Sequence, residues 1–452
     1  MYSFSPPKRQ ICAKNTFGEI LVKSSSNSVI QETVAPLPTI APAPVDNRDY
    51  FKSLANTQHT PNPDMPTQYF NGRQLKTLYN VPNITVASGK KQVIIAIIVA
   101  YSYNGVKTAK NDNLGWVIYD LKKYWQNYSN FGPYQTPPKV SVHTMQGAGA
   151  TYDKDWAREE CLDVQMVCTI NPNANIWVVE AKSDSPTDIL AAIQYATNTI
   201  KADVLSMSLG NKNEKISSTT TSNSYFTNKS ICFCAGTGDE NTPSWPAVST
   251  NCIAVGGTTL LWTPTNKTPR IEFPWVNAGA GYSSTFPKPT YQSGDDVYKL
   301  KVNTTSKRCI PDVALVASAT SLVYVYCSER GTAFNPWVPT SGTSVSTPIF
   351  AAIVSIADQQ RFNVGKSALT SVYSATPLNP KDSIPSNNLQ NYLYKTILTN
   401  TGKYSSDFND ITIGINTEGG KSSIYDAENG FDVATGIGSP NVAALCNDLL
   451  NI

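Results

Sequence analysis

The sequence predicts an α/β fold in which a parallel sheet is covered by helices on both faces. Two observations lead there. From about residue 66 onward, short apolar runs alternate with helical patterns. The most apolar run, Val93 to Ala100, is too short to cross a membrane as a helix and fits a strand buried inside a sheet. In chain order, residues 91–100 read as a strand and 156–169 as a helix. Residues 175–180 form a strand, followed by a helix over 186–202. Strands follow at 204–209, 231–235 and 252–255.

The 452 residues are enough for one large catalytic domain with an extension, or for two or three smaller domains. Hydrophobic content of 40% is ordinary for a folded chain, but charged residues make up only 15%. A net charge of +3, with no dense run of Lys or Arg, argues against nucleic acid and against a membrane as partner. The N-terminus has no continuous apolar segment behind its charges, so no signal peptide is expected. Residues 1–33 lack periodicity. Val34-Ala35-Pro36-Leu37-Pro38 through Pro44 reads as an extended, polyproline-like linker. The nine cysteines show no metal-ligand spacing. Cys161 and Cys168 lie about 10 Å apart along a helix, too far for a disulfide, and buried free thiols are expected.

The string Ser341-Gly342-Thr343-Ser344-Val345-Ser346-Thr347-Pro348 opens a strongly apolar helix. A small-residue turn at a helix start suits a nucleophile, because the dipole and free N–H groups favour developing negative charge. Ser and Thr also cap helices without any chemistry. The whole string, with its Pro inside the helix, is far more specific, and it resembles the nucleophile helix of the subtilisin-like clan. The usual histidine base is missing. Only His59 and His143 occur, neither in a His-Gly-Thr context, and the early strand ends without an aspartate.

Carboxylates are the alternative. Glu159 and Asp163 are four apart and share a helix face. A solvated acidic face would explain a generic pair, but the apolar neighbours Leu162, Val164, Met166 and Val167 predict burial of at least one acid. Two such carboxyls would share protons and could accept one from a serine in acid. Glu160 points about 100° round the helix and is set aside as a bystander. A third acid, Asp239, follows the strand at 231–235 in Gly236-Thr237-Gly238-Asp239. Loops at the carboxyl ends of parallel strands are where sites assemble, although Asp also forms turns for purely local reasons. A protonated Asp there could donate to an oxyanion.

These segments together resemble the sedolisins, the serine-carboxyl peptidases, over roughly residue 66 to the C-terminus. Supporting stretches are Gln74-Leu75-Lys76-Thr77-Leu78-Tyr79-Asn80, Ser206-Met207-Ser208-Leu209-Gly210, Trp245-Pro246-Ala247 and Pro311-Asp312-Val313. The resemblance implies a subtilisin-like three-layer fold with a central, mostly seven-stranded parallel sheet. It implies Ser344 as nucleophile, Glu159 as general base, Asp163 as its partner and Asp239 as oxyanion acid. Ser206, Ser208, Leu209 and Gly210 would lie beside the substrate backbone. It also implies one Ca²⁺ in a segment at about 405–440, held by carboxylates of Asp410 and Asp432 and carbonyls of Ile411, Glu428 and Gly430. All-oxygen ligation by a loop suits that ion.

The expected organisation is a peptidase domain over 66–452 preceded by an extension, 1–65, too short and Pro-rich to be the large folded prodomain that sedolisins carry. The expected activity is hydrolysis of protein or peptide substrates in acid by a monomer, as an endopeptidase or a tripeptidyl-peptidase. An acidic compartment, or delivery inside a virus particle, would be the setting. Two rivals remain: a catalytically silent copy of the fold with a structural or binding role, and a neutral subtilisin-type enzyme. The second requires His143 within reach of Ser344.

Overall fold

The strand Ile94–Ala100 (β2) sits at the middle of the sheet, and its side chains from Ile95 onward are buried on both faces. That is why it reads as an unbroken apolar run: in a parallel sheet covered on both sides, alternation has nothing polar to point at. In this computed structural model the described residues are 67–103, 115–127, 137–147, 150–212, 214, 224–261, 270–293, 306–330, 335–373, 384–416 and 425–452. The extension 1–65, with its Pro-rich linker and His59, lies outside the described residues.

The other strands of the main sheet are Val140–Thr144 (β3), Asn175–Ala181 (β4), Val204–Met207 (β5), Cys232–Gly236 (β6), Ile253–Leu261 (β7), Ile271–Pro274 (β8) and Val313–Val316 (β11). The order β11-β7-β6-β5-β2-β4-β3 is parallel throughout, with β8 added antiparallel to β7. The predicted seven-stranded parallel sheet is therefore present, with one antiparallel strand beyond it. A second sheet joins Gln68–Phe70 (β1), Ser321–Tyr326 (β12) and Trp337–Thr340 (β13), and Gly281–Pro287 (β9) pairs with Lys307–Ile310 (β10). The main hydrophobic core cluster runs from Phe70 to Leu449. No helix among the described residues is long and apolar enough to cross a membrane.

Helix starts are set by local chemistry. Lys154–Ile170 (α3, after Gly72–Leu78, α1, and Trp116–Asn127, α2) starts at Asp153, whose carboxylate accepts from the N–H groups of Asp155 and Trp156 at 2.9 and 3.0 Å. This side-chain cap fixes the register of everything downstream. Pro186–Tyr195 (α4) begins with Ser185 as cap and Pro186 at its first position. Thr343–Asn363 (α5) is buried over almost its whole length. Pro348 has no N–H to return to the Ser344 carbonyl four residues back, so the first turn is held by Ser346 and Thr347 hydroxyls, which donate to Thr343 O at 3.0 and 2.7 Å.

Several element ends differ from expectation; the strand expected from residue 91 begins at Ile94 and the helix expected from 156 begins at Lys154. The 186–202 helix closes as α4 at Tyr195, then widens into a π-type turn at Ala196–Ile200 that Lys201 ends with φ of 57°. The strand begun at Val204 ends at Met207 rather than 209. The strand expected at 252–255 continues to Leu261. Within it Gly256 and Gly257 mark close approach: added Cβ atoms would lie 2.8 Å from Pro311 and 2.7 Å from Ala317.

Candidate active site

α3 and α5 pack against each other, and their directions follow from their end contacts. At the start of the strands, Gln359 near the end of α5 accepts from Val93 N and donates to Lys91 O. There too, Asn171 at the end of α3 leads into β4. At the other end, Ser208 beyond β5 reaches Asp163, and the last residue of β6, Gly236, lies against Thr343 and Thr347. Both helices therefore run against the strands and parallel to each other. They are tied by Asn171 Nδ2, at the end of α3, which donates to Ser355 Oγ, just past the middle of α5, at 2.8 Å. Glu159 lies 12 residues before that tie and Ser344 lies 11 before it. At 1.5 Å per residue these are about 18 and 16 Å along the axes, so Glu159 and Ser344 stand at nearly the same level.

Glu159 and Asp163 are both fully buried, as the apolar neighbours predicted for at least one of them. Asp163 Oδ1 accepts from Ser208 Oγ at 2.7 Å. α3 is held in place by more than packing. Gln165 Nε2 donates to Tyr326 O at 2.6 Å and its Oε1 accepts from Tyr326 N at 2.8 Å, while Arg158 pairs with Glu329 at 2.6 Å.

Ser344 is the second residue of α5, with only 1% of its surface exposed. Its Oγ makes no hydrogen bond among the described residues. The turn before it needs glycine for two reasons. Gly342 has φ of +116°, and a Cβ there would sit 2.6 Å from Asp239 Oδ2. Asp239 arrives from the end of β6, where Gly238 with φ of +98° reverses the chain. Asp239 Oδ1 accepts from Thr343 N at 2.8 Å and from Thr343 Oγ1 at 2.9 Å. Thr343 Oγ1 in turn accepts from Gly238 N at 3.2 Å. The acid thus docks on the N-terminus of the helix that carries Ser344.

The expected substrate-side strand end, Ser206, Ser208, Leu209 and Gly210, lies directly after and within β5. Ser206, Ser208 and Leu209 are buried, and the Ser208 hydroxyl is committed to Asp163. His143 is on edge strand β3, its ring stacked on Tyr195 at 3.9 Å. α5 packs over β5, β6, β7, β2 and β11, away from that edge. The neutral, histidine-based reading is therefore corrected: His143 belongs to the sheet edge.

At the C-terminal segment, Asp410 Oδ2 accepts from Gly430 N at 3.0 Å, and Asp432 accepts from Glu428 N at 3.2 Å and from Ala434 and Thr435 N at 2.9 and 2.7 Å. Ile411 is buried beside them. Asp410, Glu428, Gly430 and Asp432 are thus drawn into one loop cluster. The Tyr404 hydroxyl faces three acceptors at once, Asp410 Oδ1, Gly430 O and Ile437 O, at 2.8, 3.1 and 3.0 Å. It has one hydrogen to give, so the cluster is richer in acceptors than in donors. Burial and the charge of Asp410 push the Asp432 carboxyl well above its usual range. An oxygen cluster of this kind fits a hard cation.

Sequence reasoning overlooked two groups. Glu160, set aside as a bystander, is as buried as Glu159 and lies against Glu180, the next-to-last residue of β4. Asp120, Cys161 and Cys327 come within 4.8 Å of one another although they are scattered along the chain. Asp120 already accepts from Tyr103, Cys161 and Ser328, so its hydrogen-bonding capacity is used internally. Glu180 ends an apolar strand, and that was the available signal for the first group. No local pattern announces the second.

The subtilase family model matches residues 109–407, well over half of the chain and including Glu159, Asp163, Asp239 and Ser344. Tripeptidyl-peptidase 1 of Rattus norvegicus is 29% identical over 225 residues, covering 46% of this chain and 33% of the relative. Tripeptidyl-peptidase sed1 of Aspergillus fumigatus is 26% identical over 245 residues, covering 48% and 32%. The chain thus spans about a third of the length of the curated relatives it matches. Among solved structures, Pseudomonas sedolisin, a serine-carboxyl proteinase, shares the fold with a TM-score of 0.61 at 21% identity, over 86% of this chain and 99% of that one. The chain belongs to the subtilase family, and it is similar to the tripeptidyl-peptidases and, in fold, to sedolisin.

Proposed function

We propose that this chain, through residues 66–452, is a serine-type peptidase that hydrolyses peptide bonds in acid. Ser344 attacks the substrate carbonyl while Glu159, backed by Asp163, takes its proton; the leaving amine receives that proton, and water then releases the acyl group. Asp239 acts as the oxyanion acid. With Oδ1 accepting twice from Thr343, its proton belongs on Oδ2, from which it can donate to the developing oxyanion. The strand end Ser206 to Gly210 would meet an extended substrate through its backbone, since the Ser208 hydroxyl serves Asp163. The observation that carries the reading is Asp239 docked on Thr343, one residue before the nucleophile.

One Ca²⁺ would be held at the C-terminal segment by the carboxylates of Asp410 and Asp432 and the carbonyls of Ile411, Glu428 and Gly430. The acceptor-rich cluster around Tyr404 supports that reading. The ion would supply charge neutralisation and hold the loop; it takes no part in bond cleavage. A protein or peptide in an acidic compartment is the substrate this chemistry calls for.

Ser344→Ala is expected to abolish peptide cleavage at pH of about 3–5, the range where coupled carboxyls exchange protons. It should also abolish covalent labelling by a peptide aldehyde or fluorophosphonate. Undiminished cleavage by that variant overturns the assignment. A parent protein that neither cleaves nor labels at any pH points to a silent copy of the fold.

A further inference from the structure

Glu160 and Glu180 form a second carboxyl pair, outside the four residues assigned to the chemistry. Glu160 is 1% exposed and Glu180 fully buried. The two side chains hydrogen-bond to each other, which two carboxylates cannot do without a proton between them. The surroundings say which one holds it. Glu180 accepts from the Ser102 and Thr144 hydroxyls and the Tyr103 N–H, a donor set that suits a carboxylate. Glu160 accepts from the same Tyr103 N–H, and its Oε1 is buried with no hydrogen-bond partner among the described residues. Glu160 is the donor and Glu180 the acceptor.

Among the described residues, the titratable groups around the pair offer no compensating positive charge. Asp163 and Cys161 face it from α3 and Tyr103 from the turn after β2; beyond them are Asp120 on α2 and Cys327 after β12. His143 neighbours Thr144 on β3, but successive strand residues point to opposite faces, and its ring stacks on Tyr195. Burial, the charge of Glu180 and that of Asp163 all push the Glu160 carboxyl upward.

We propose that Glu160 is a positioning residue: one proton, held by Glu160 and given to Glu180, ties the turn of α3 that carries Glu159 to the end of β4, and its loss ends the folded, competent state as pH rises. Only the competence half rests on the peptidase reading; the tie itself does not. Glutamates in an unfolded chain ionise near pH 4.3. Above that value the folded chain holds a proton that the unfolded chain has lost. Stability therefore falls as pH rises through the window, by about tenfold in the folding constant per pH unit for one proton, until the pair lets it go.

The test uses the full chain carrying Ser344→Ala, which cannot digest itself, and follows thermal unfolding between about pH 4 and pH 8. Three versions are compared with that parent: Glu160→Gln, Glu180→Gln and the double amide. In Glu160→Gln the new amide donates to Glu180 at every pH, so the unfolding midpoint of this variant should lose the part of the parent's decline that continues above about pH 6, and the double amide should lose it as well. In the active background, the alkaline limb of the pH–rate profile should move upward for Glu160→Gln. The same pH slope in parent and all variants overturns the proposal, whether or not the chain is a peptidase. So does failure of all three variants to fold, because an uncharged pair is the state the proposal says the site tolerates. A changed slope in a chain without peptidase activity upholds the tie and removes only the functional reading.

Discussion

Asp239 and Thr343 are joined twice, through the backbone N–H and through the hydroxyl of Thr343, both ending on Oδ1. The loop that follows β6 is thereby fixed to the first residue of α5, and the proposed oxyanion acid reaches the nucleophile by way of a neighbour. Asp239→Ala should lower kcat by about 10²–10³, the usual effect of removing one oxyanion donor. Asp239→Asn keeps an oxygen for Thr343 and places an N–H₂ where the acid would hold its proton. It should retain more activity than the alanine variant and depend less on acid at that position. Steady-state rates from about pH 3 to 7 decide.

Ser208 separates positioning from charge. Its hydroxyl donates to Asp163 in a buried setting, and Ser208→Ala leaves that carboxylate short of a donor. A hydrogen bond to a buried charged group contributes about 1.5–3 kcal/mol. The variant should lose roughly that much transition-state stabilisation, about 10- to 100-fold in kcat/KM. Binding of a substrate-like aldehyde should weaken less than catalysis does. An unchanged kcat/KM would detach Asp163 from the chemistry.

Removal of Ca²⁺ should act on stability before activity. In the Ser344→Ala protein, free Ca²⁺ at about a hundred times Kd should stabilise by about 2.7 kcal/mol relative to a chelator. Asp410→Asn and Asp432→Asn should each abolish the calcium-dependent rise in Tm. A rise that survives both substitutions places the ion elsewhere.

Asp120 carries a pH dependence of its own. Burial pushes its carboxyl from the ordinary 3.8 up to about 6, even though Ser328, Tyr103 and Cys161 all donate to it. The folded state therefore keeps this proton longer than the unfolded state. The contribution of Asp120 to stability is full below about pH 4, declines between about pH 4 and 6, and levels off above, a loss of about 3 kcal/mol. Asp120→Asn should flatten that window in chemical-denaturation curves. The window closes near pH 6, which distinguishes it from any decline that continues to higher pH.

Much of this was legible in the sequence because it is written locally. The eight residues around Ser344 encode a glycine turn and a helix start, and the spacing of Glu159 and Asp163 encodes a shared face. The β2 run encodes a doubly covered strand. What escaped was long-range pairing. Glu160 looked like the wrong side of a helix because a helical wheel assumes one buried face, whereas α3 is buried nearly all round. Its partner Glu180 arrives from a strand 20 residues later. The strand expected at 252–255 was drawn too short for the same reason: the side chains packed against Gly256 and Gly257, from Pro311, Ala317 and Trp275, lie far along the chain.

The Asn171–Ser355 tie has a mechanical side. Two rods pinned at one contact translate a small rotation at the pin into a larger displacement away from it, in proportion to the distance from the pin. Here the pin is roughly 17 Å from both Glu159 and Ser344. One degree of splay between α3 and α5 would open the gap between base and nucleophile by about 0.3 Å, a sizeable part of what proton transfer tolerates. The Gln165–Tyr326 and Arg158–Glu329 contacts then act as stays along the lever arm. Damage to the pin itself would be felt most where no atom has been changed.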